Sequence, residues 1–299
     1  MIDTHYDLLT ILYCCYMKKD FTYINKIRKD FENIDGLIAN LYFMSKDEMK
    51  DELDIEDIDV YQMFKISTNL FKEYFPDKKV IYSIEGCDYI KDLEELENLY
   101  KLGLRNILLV WNNENKYGSG NKSDKGLTEL GKEFIKKAVS LGISIDLSHM
   151  NKNTFWETIS LLEELKSNGE KVKVIASHSN CYSLCKNKRN LDDEQILAIK
   201  RLDGIIGLVS YGPFINKKEK DLEENFLKHI RCVEGLIGID NIAIATDNMD
   251  FAKELFNVDE YISLYNHNNI KSKLTKLLSS YYNEDEINKI LYKNIEKLF

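Results

Sequence analysis

The sequence is short of several things, and each scarcity closes a route. It has no excess of positive charge: 41 Lys and Arg face 50 Asp and Glu, leaving a net charge of −9 and a pI near 5.3. Such a chain repels phosphate backbones, which sets nucleic acid aside as a partner. It has no apolar run near the ~18 residues of a membrane helix, so no membrane partner is expected. The apolar stretch 8–17 comes closest, but Asp3 and Asp7 precede it and no basic region does; it does not read as a signal peptide. Residues 287–299 read as an amphipathic helix without an anchor signal. None of the six cysteines, at 14, 15, 87, 181, 185 and 232, forms a CxxC pair. Buried free thiols are therefore expected, Cys181 and Cys185 are not taken as a metal pair, and a cytoplasmic location follows. The two prolines reflect codon usage rather than function. No linker, repeat or low-complexity segment stands out, so residues 1–299 read as a single domain.

What is present is a regular alternation. Eight β-rich runs occur at residues 2–7, 36–43, 79–85, 106–111, 143–149, 172–178, 204–211 and 241–247. Helical periodicity fills the intervals, as in LTELGKEFIKKAVSLG and TFWETISLLEELKSNG, with Gly near several helix ends. Near-continuous apolar strands alternating with helices imply a parallel sheet covered on both faces. Eight strands predict an α/β fold that closes as a (β/α)8 TIM barrel; an open doubly wound sheet is the competing architecture.

In such a barrel the chemistry sits at the C-terminal strand ends. Here those ends carry His5 and Asp7, then Glu85, His149, His178 and Asp247. His5 and Asp7 are two apart, so an extended segment turns both to one side. The chain has five histidines; His229, in a helix, and His267, in a polar loop, read as structural residues at the surface or partly buried. The other three converge with carboxylates on one mouth. Buried carboxylates are costly unless paired or metal-bound. Three His, one Asp and one Glu exceed what one tetrahedral catalytic zinc needs. They suit two zinc ions that share a carboxylate, with manganese or iron as alternatives. Such a pair makes hydroxide available near neutral pH, and Asp247 is then the proton shuttle. Arg189, in the segment KNKRN, would pair with a substrate carboxylate; a surface position in a basic run is the competing reading. The polar stretch 112–126, following the fourth strand, is long enough to be functional.

The segments IDTHYDL, SIEG, GLRNILLVWNNEN, GLTELG, ISIDLSHMNKNTFW, VIASHSNCYSLCKNKRNL and NIAIATDNMD resemble, in order, those of the membrane (renal) dipeptidases, peptidase family M19, of the amidohydrolase-like hydrolases. Residues 283–299 resemble the family's closing helix. The resemblance implies a binuclear zinc dipeptidase whose metal-bridging hydroxide attacks the peptide bond, often tolerating a C-terminal D-residue. His5 and Asp7 then bind the first zinc, Glu85 bridges, and His149 and His178 bind the second. Arg189 reads the substrate carboxylate and Asp247 protonates the leaving amine. Beyond the resemblance, Tyr211 and Asn112 are taken as substrate-binding residues, Asn112 as a hydrogen-bond donor or else a loop cap. The chain departs from the family at VWNNEN, where some members carry a carbonyl-polarising His, and at DNMDF, which makes Asp250 a rival acid. The lipid anchor of the secreted members is not expected here; a homodimer, common in the family, stays open. A hydrolase of another small amide or lactone, and a binder that no longer turns peptide over, are the alternatives.

Overall fold

A computed structural model describes residues 1–43, 57–218, 220–256 and 264–298. Eight parallel strands form a closed barrel in sequence order: β1 (Ile2–Tyr6), β2 (Gly36–Tyr42), β3 (Lys79–Glu85), β4 (Leu104–Leu108), β5 (Ser144–Asp146), β6 (Val174–Ala176), β7 (Ile205–Val209) and β8 (Ile242–Ala245). The (β/α)8 expectation is met, and the open sheet is excluded because β8 pairs with β1 through Ile244 and Asp3.

Helices follow the strands on the outside, and their starts are written in the sequence. Asp92, Thr128 and Asn151 each accept a backbone N–H three residues on, at the heads of Leu93–Lys101, Glu129–Ser140 and Lys152–Ser167. Asp192 and Gln195 form a reciprocal capping box ahead of Asp193–Arg201. Each helix turns an apolar stripe inward: Phe134, Ile135, Ala138 and Val139 on one, Phe155, Ile159 and Leu162 on the next. Beyond Ser140 the chain reverses through Gly142, whose φ of 78° disfavours any side chain.

Several strands stop earlier than the apolar runs suggest. β5 ends at Asp146, β6 at Ala176, and β8 at Ala245, so His149, His178 and Asp247 lie two or three residues past the sheet. The extra apolar residues pack in loops. β1 also departs from simple alternation. Asp3 pairs with Leu37 but Tyr6 with Ala39, so β1 spends three residues where β2 spends two. This bulge keeps Thr4 and His5 both facing β6, where each bonds Ser177; bulges commonly re-aim side chains beside active sites.

The barrel interior is graded. At the bottom, Ile2, Ile38, Ile81, Ile175, Ile205 and Ala243 form an apolar cluster closed by Ile295 and Leu298. Above it lie uncharged polar groups: Asn106 donates to Ser83 Oγ (2.9 Å) and accepts from Ser144 Oγ (2.7 Å). Gly207 is required in this layer, because a Cβ there would stand 2.0 Å from the Ser177 carbonyl oxygen. The ionisable residues of the site gather above this layer, towards the top. The closing segment is not the continuous helix expected: Glu284–Asn288 is α-helical, Lys289–Lys293 widens to a π-turn, and Ile295–Leu298 is 3-10. The change of pitch turns Ile295 and Leu298 beneath the barrel; Phe299 lies outside the described residues.

Because Ile295 is 1% exposed, Ile295→Ala should cost roughly 3 kcal/mol of stability through lost burial and a cavity. Chemical denaturation checks this; an unchanged midpoint would exclude the plug from the cooperative core.

Candidate metal centre

Glu85 ends β3 and is 3% exposed. Three imidazoles turn the same nitrogen towards it: Nε2 of His5 lies 3.1 Å from Oε2, and Nε2 of His149 and His178 lie 2.9 and 3.9 Å from Oε1. His5 Nε2 also lies 3.8 Å from Asp7 Oδ1 and 4.0 Å from Asp247 Oδ1. Among the described residues, two sets of ligand-type atoms gather within 4.8 Å: His5 with Glu85 and His178, and His5 with Asp7 and Asp247. His5 belongs to both.

His5 and Asp7 meet, but not by strand alternation. Asp7 stands beyond β1 at the head of helix Leu8–Lys18, with φ −76° and ψ 38°. A turn brings its carboxylate round. His149 and Asp247 have left-handed backbones, φ 70° and 45°, a conformation that costs non-glycine residues free energy and clusters at functional sites. The His149 carbonyl accepts from Asn121 (3.0 Å), and the Asp247 N–H donates to the His5 carbonyl (3.2 Å). Asp3 supports His5 and the residue before Asp247: it accepts the N–H of His5 and of Thr246, the Thr246 hydroxyl, and His267 Nε2 at 2.8 Å.

The electrostatics are conflicted. Burial opposes charge on His5, but Glu85, Asp247 and Asp7 outweigh it and push its pKa up to about 10. Burial also works against the Glu85 carboxylate, yet His5 and His149 hold its pKa far below the usual range. Burial, then Arg189, pushes His149 down to about 3. Burial, then His5 and Arg189, drives His178 down as well. Burial, then Glu85, raises Asp7; burial again leads the rise at Asp247. Asp7 Oδ1 is buried without a hydrogen-bond partner. An orphaned carboxylate oxygen beside three imidazole Nε2 atoms turned one way is an unfavourable arrangement on its own. Divalent cations resolve it, and a mixed His and carboxylate donor set suits zinc.

Arg189 is not the surface residue its basic run suggests. It is 8% exposed, with Nη2 2.7 Å from His178 Nε2, Nε unpartnered, and its guanidinium 5.5 Å from the Phe214 ring centroid. Tyr211 packs edge-on against the same Phe214 at 4.9 Å. Asn112 Oδ1 lies 3.1 Å from His149 Nδ1, so its contact is with a candidate ligand. Trp111 stands 6.0 Å from the His149 ring and 5.1 Å from Tyr42, forming an aromatic wall. Asp250 heads helix Asp250–Phe256 and bonds Asn248, whereas Asp247 faces His5. His229 and His267 are structural but fully buried: His229 Nδ1 accepts from the Cys181 N–H and its Nε2 bonds the Ile215 carbonyl. The six cysteines are free, five of them buried. Cys181 and Cys185 point at the carbonyls of His229 and Pro213.

Sequence reasoning missed Asp3, Asn40, Asp146 and Ser177. Their one signal is position, since each lies within two or three residues of a candidate ligand or in the same layer of a neighbouring strand.

A family model described as membrane dipeptidase (peptidase family M19) matches residues 62–299. An uncharacterized protein of Acinetobacter calcoaceticus, from the PQQ-III 3' region, is 33% identical over 138 residues, covering 43% of this chain and 41% of its own length. An uncharacterized dipeptidase of Schizosaccharomyces pombe is 27% identical over 177 residues, covering 56% of this chain and 41% of its own. The matched stretches thus span about two fifths of those curated relatives. The crystal structure of a Rhodobacter sphaeroides metallo peptidase, liganded with a phosphinate mimic of L-Ala-D-Ala, superposes with a TM-score of 0.73 at 18% identity, over 99% of this chain and 97% of that one. At that identity the likeness establishes the fold.

Because the His5 pKa stands near 10, that ring carries a proton at pH 7.5 that zinc must displace from Nε2. Zinc binding to metal-free protein should therefore release at least one proton per chain. Calorimetry in buffers of different ionisation enthalpy measures it; zero release would contradict the raised His5.

Proposed function

The chain belongs to the membrane dipeptidase family, peptidase family M19, and on that premise we propose that it is a binuclear zinc dipeptidase, one domain acting in the cytoplasm on dipeptides, including those with a C-terminal D-residue. The observation that carries the reading is the convergence of three imidazole Nε2 atoms on Glu85, beside the orphaned Asp7 oxygen. His5 and Asp7 would hold one zinc, His149 and His178 the other, with Glu85 shared. When bound, the ions supply an acidified water as nucleophile and polarise the scissile carbonyl.

The remaining tasks fall to the chain. Arg189 offers a buried guanidinium beside this centre, and burial makes its pairing with a carboxylate strong. That pairing supports very short substrates, since a longer peptide has no carboxylate at that distance. The L-Ala-D-Ala mimic bound by the Rhodobacter sphaeroides enzyme supports tolerance of a D-residue. Asp247 is the most open of the carboxylates, 18% exposed against 3% for Glu85, so it can reach the leaving group. Its pKa is raised, first by burial, which suits a residue that carries a proton. In the reaction the water oxygen joins the carbonyl carbon, the C–N bond breaks, and the water proton passes through Asp247 to the amine nitrogen. Phe214 places Tyr211 next to Arg189 at the substrate end. Asn112 is assigned to His149 rather than to the substrate, and Trp111 walls the mouth.

Purified protein should hold about two zinc ions per chain and cleave L-Ala-L-Ala, L-Ala-D-Ala or Gly-D-Ala, and a chelator should abolish cleavage. Two ions without cleavage would point to another amide or a lactone, or to a binder. With zinc retained, Asp247→Asn should lower kcat by roughly 10²–10⁴-fold. Arg189→Met should raise KM for dipeptides roughly 10–100-fold, the worth of a charged hydrogen bond; an unchanged KM would remove Arg189 from substrate recognition.

A further inference from the structure

We propose that Thr246 is a positioning residue for Asp247: pegged by the buried Asp3 carboxylate on one side and by Ser210 on the other, it keeps the Asp247 side chain turned towards His5. The proposal rests on the dipeptidase reading above, in which Asp247 serves the leaving amine, and deepens it.

β8 ends at Ala245, so the regular strand stops two residues short of Asp247. Thr246 is fully buried, and each of its polar groups is engaged. Its N–H donates to Asp3 Oδ1 at 2.9 Å and its hydroxyl to Asp3 Oδ2 at 2.5 Å. Its carbonyl accepts from the Ser210 hydroxyl at 3.2 Å. The next N–H, that of Asp247, donates to the His5 carbonyl at 3.2 Å. Asp3 Oδ1 also accepts the His5 N–H at 3.1 Å. One carboxylate thus holds the backbone of His5 and that of the residue before Asp247. The two side chains then meet with Asp247 Oδ1 4.0 Å from His5 Nε2.

The pegs account for a conformation that is costly on its own. Asp247 has a φ of 45°, and a left-handed non-glycine residue persists only where its surroundings over-determine it. A carboxylate only accepts, so the Thr246 hydroxyl is the donor at Oδ2. That bond and the branched Cβ fix the side-chain rotamer of Thr246. Both pegs are themselves anchored. Asp3 Oδ2 has a second partner in His267 Nε2 at 2.8 Å, and Tyr6 and Phe31 pack on that imidazole with centroids 4.5 and 4.4 Å away. Ser210 donates its N–H to the Ala245 carbonyl at 3.0 Å and accepts the Leu264 N–H at 2.9 Å. The hydrogen bonds of Thr246 reach Asp3, Ser210 and His267, none of them a candidate ligand, so losing its hydroxyl should spare the metal.

Thr246→Val removes the hydroxyl at nearly constant volume and keeps the N–H and the branched Cβ. It should lower kcat for dipeptides roughly 10–100-fold, the effect of displacing a reacting group by about 1 Å. KM should hold, and so should zinc affinity in competition with a chromophoric chelator. Thr246→Ser, which keeps the hydroxyl, should restore most of the rate. Thermal unfolding of the variants reads any purely structural cost separately. On an Asp247→Asn background, Thr246→Val should cost little further, because a residue that acts through Asp247 has nothing left to position. A kcat equal to wild type, an equal fall in both backgrounds, or a fall that comes with weakened zinc binding would each overturn the proposal. Should Thr246→Val fail to fold, Ser210→Ala removes the other peg, and an unchanged kcat there would overturn it. A zinc-loaded wild type that cleaves no dipeptide would instead remove the dipeptidase reading, and the proposal with it.

Discussion

Glu85 is a carboxylate brought to the end of a barrel strand, out of reach of water, and surrounded by three imidazoles. Burying an ion costs several kcal/mol even after relaxation, and the apolar floor of the barrel has no polar partner to offer it. The compensation has to come from the groups around it, which is why so much of the upper barrel is polar. His5 is held charged by Glu85, while His149 and His178 are held neutral by burial and by Arg189. The opposing shifts show one centre in which no residue keeps its solution behaviour.

That constraint extends outward in layers. Behind the rings that face Glu85 stand Ser177, Asn112 and Asn40, each against an Nδ1. Asp146, from β5, accepts the Ser177 N–H, and Asp3, from β1, accepts the N–H of His5 itself. Asp3 also ties β8 to the C-terminal part of the chain through Thr246 and His267. The apolar floor, closed by Ile295 and Leu298, carries none of this chemistry. It lets the top be polar by supplying burial elsewhere. The division follows the general rule for these barrels, with stability at the N-terminal end of the strands and function at the other.

Membership of the dipeptidase family gives this geometry a context without fixing its details. The matched stretches cover a minority of two curated relatives, and the structural neighbour shares 18% of its residues. The functional reading therefore leans on the site's own chemistry. A buried cation beside a cluster rich in imidazole and carboxylate is rare as packing, because each member is costly to bury alone.

How much could be read in advance follows from which interactions are local. The eight strands, the helices between them and the barrel were legible because periodicity and capping are properties of neighbours along the chain. So were the residues at the strand ends, since a charge or imidazole closing an apolar run is visible in one dimension. The strand ends themselves were read too long at β5, β6 and β8, because burial in a loop looks the same as burial in a sheet. The segment 287–299 carried its apolar stripe openly but not the changes of pitch that turn it under the barrel. Arg189 reads from sequence as a carboxylate partner or as part of a basic surface run, and only folding shows that Phe214 and His178 enclose it. The β1 bulge depends on register with β2, and sequence carries no register. Ser177 meets His5 across 172 residues and His267 meets Asp3 across 264. The sequence alone determined which groups would stand at the barrel mouth; the tertiary structure decided which nitrogen each presents, because that choice is made by hydrogen bonds between strands that are distant along the chain.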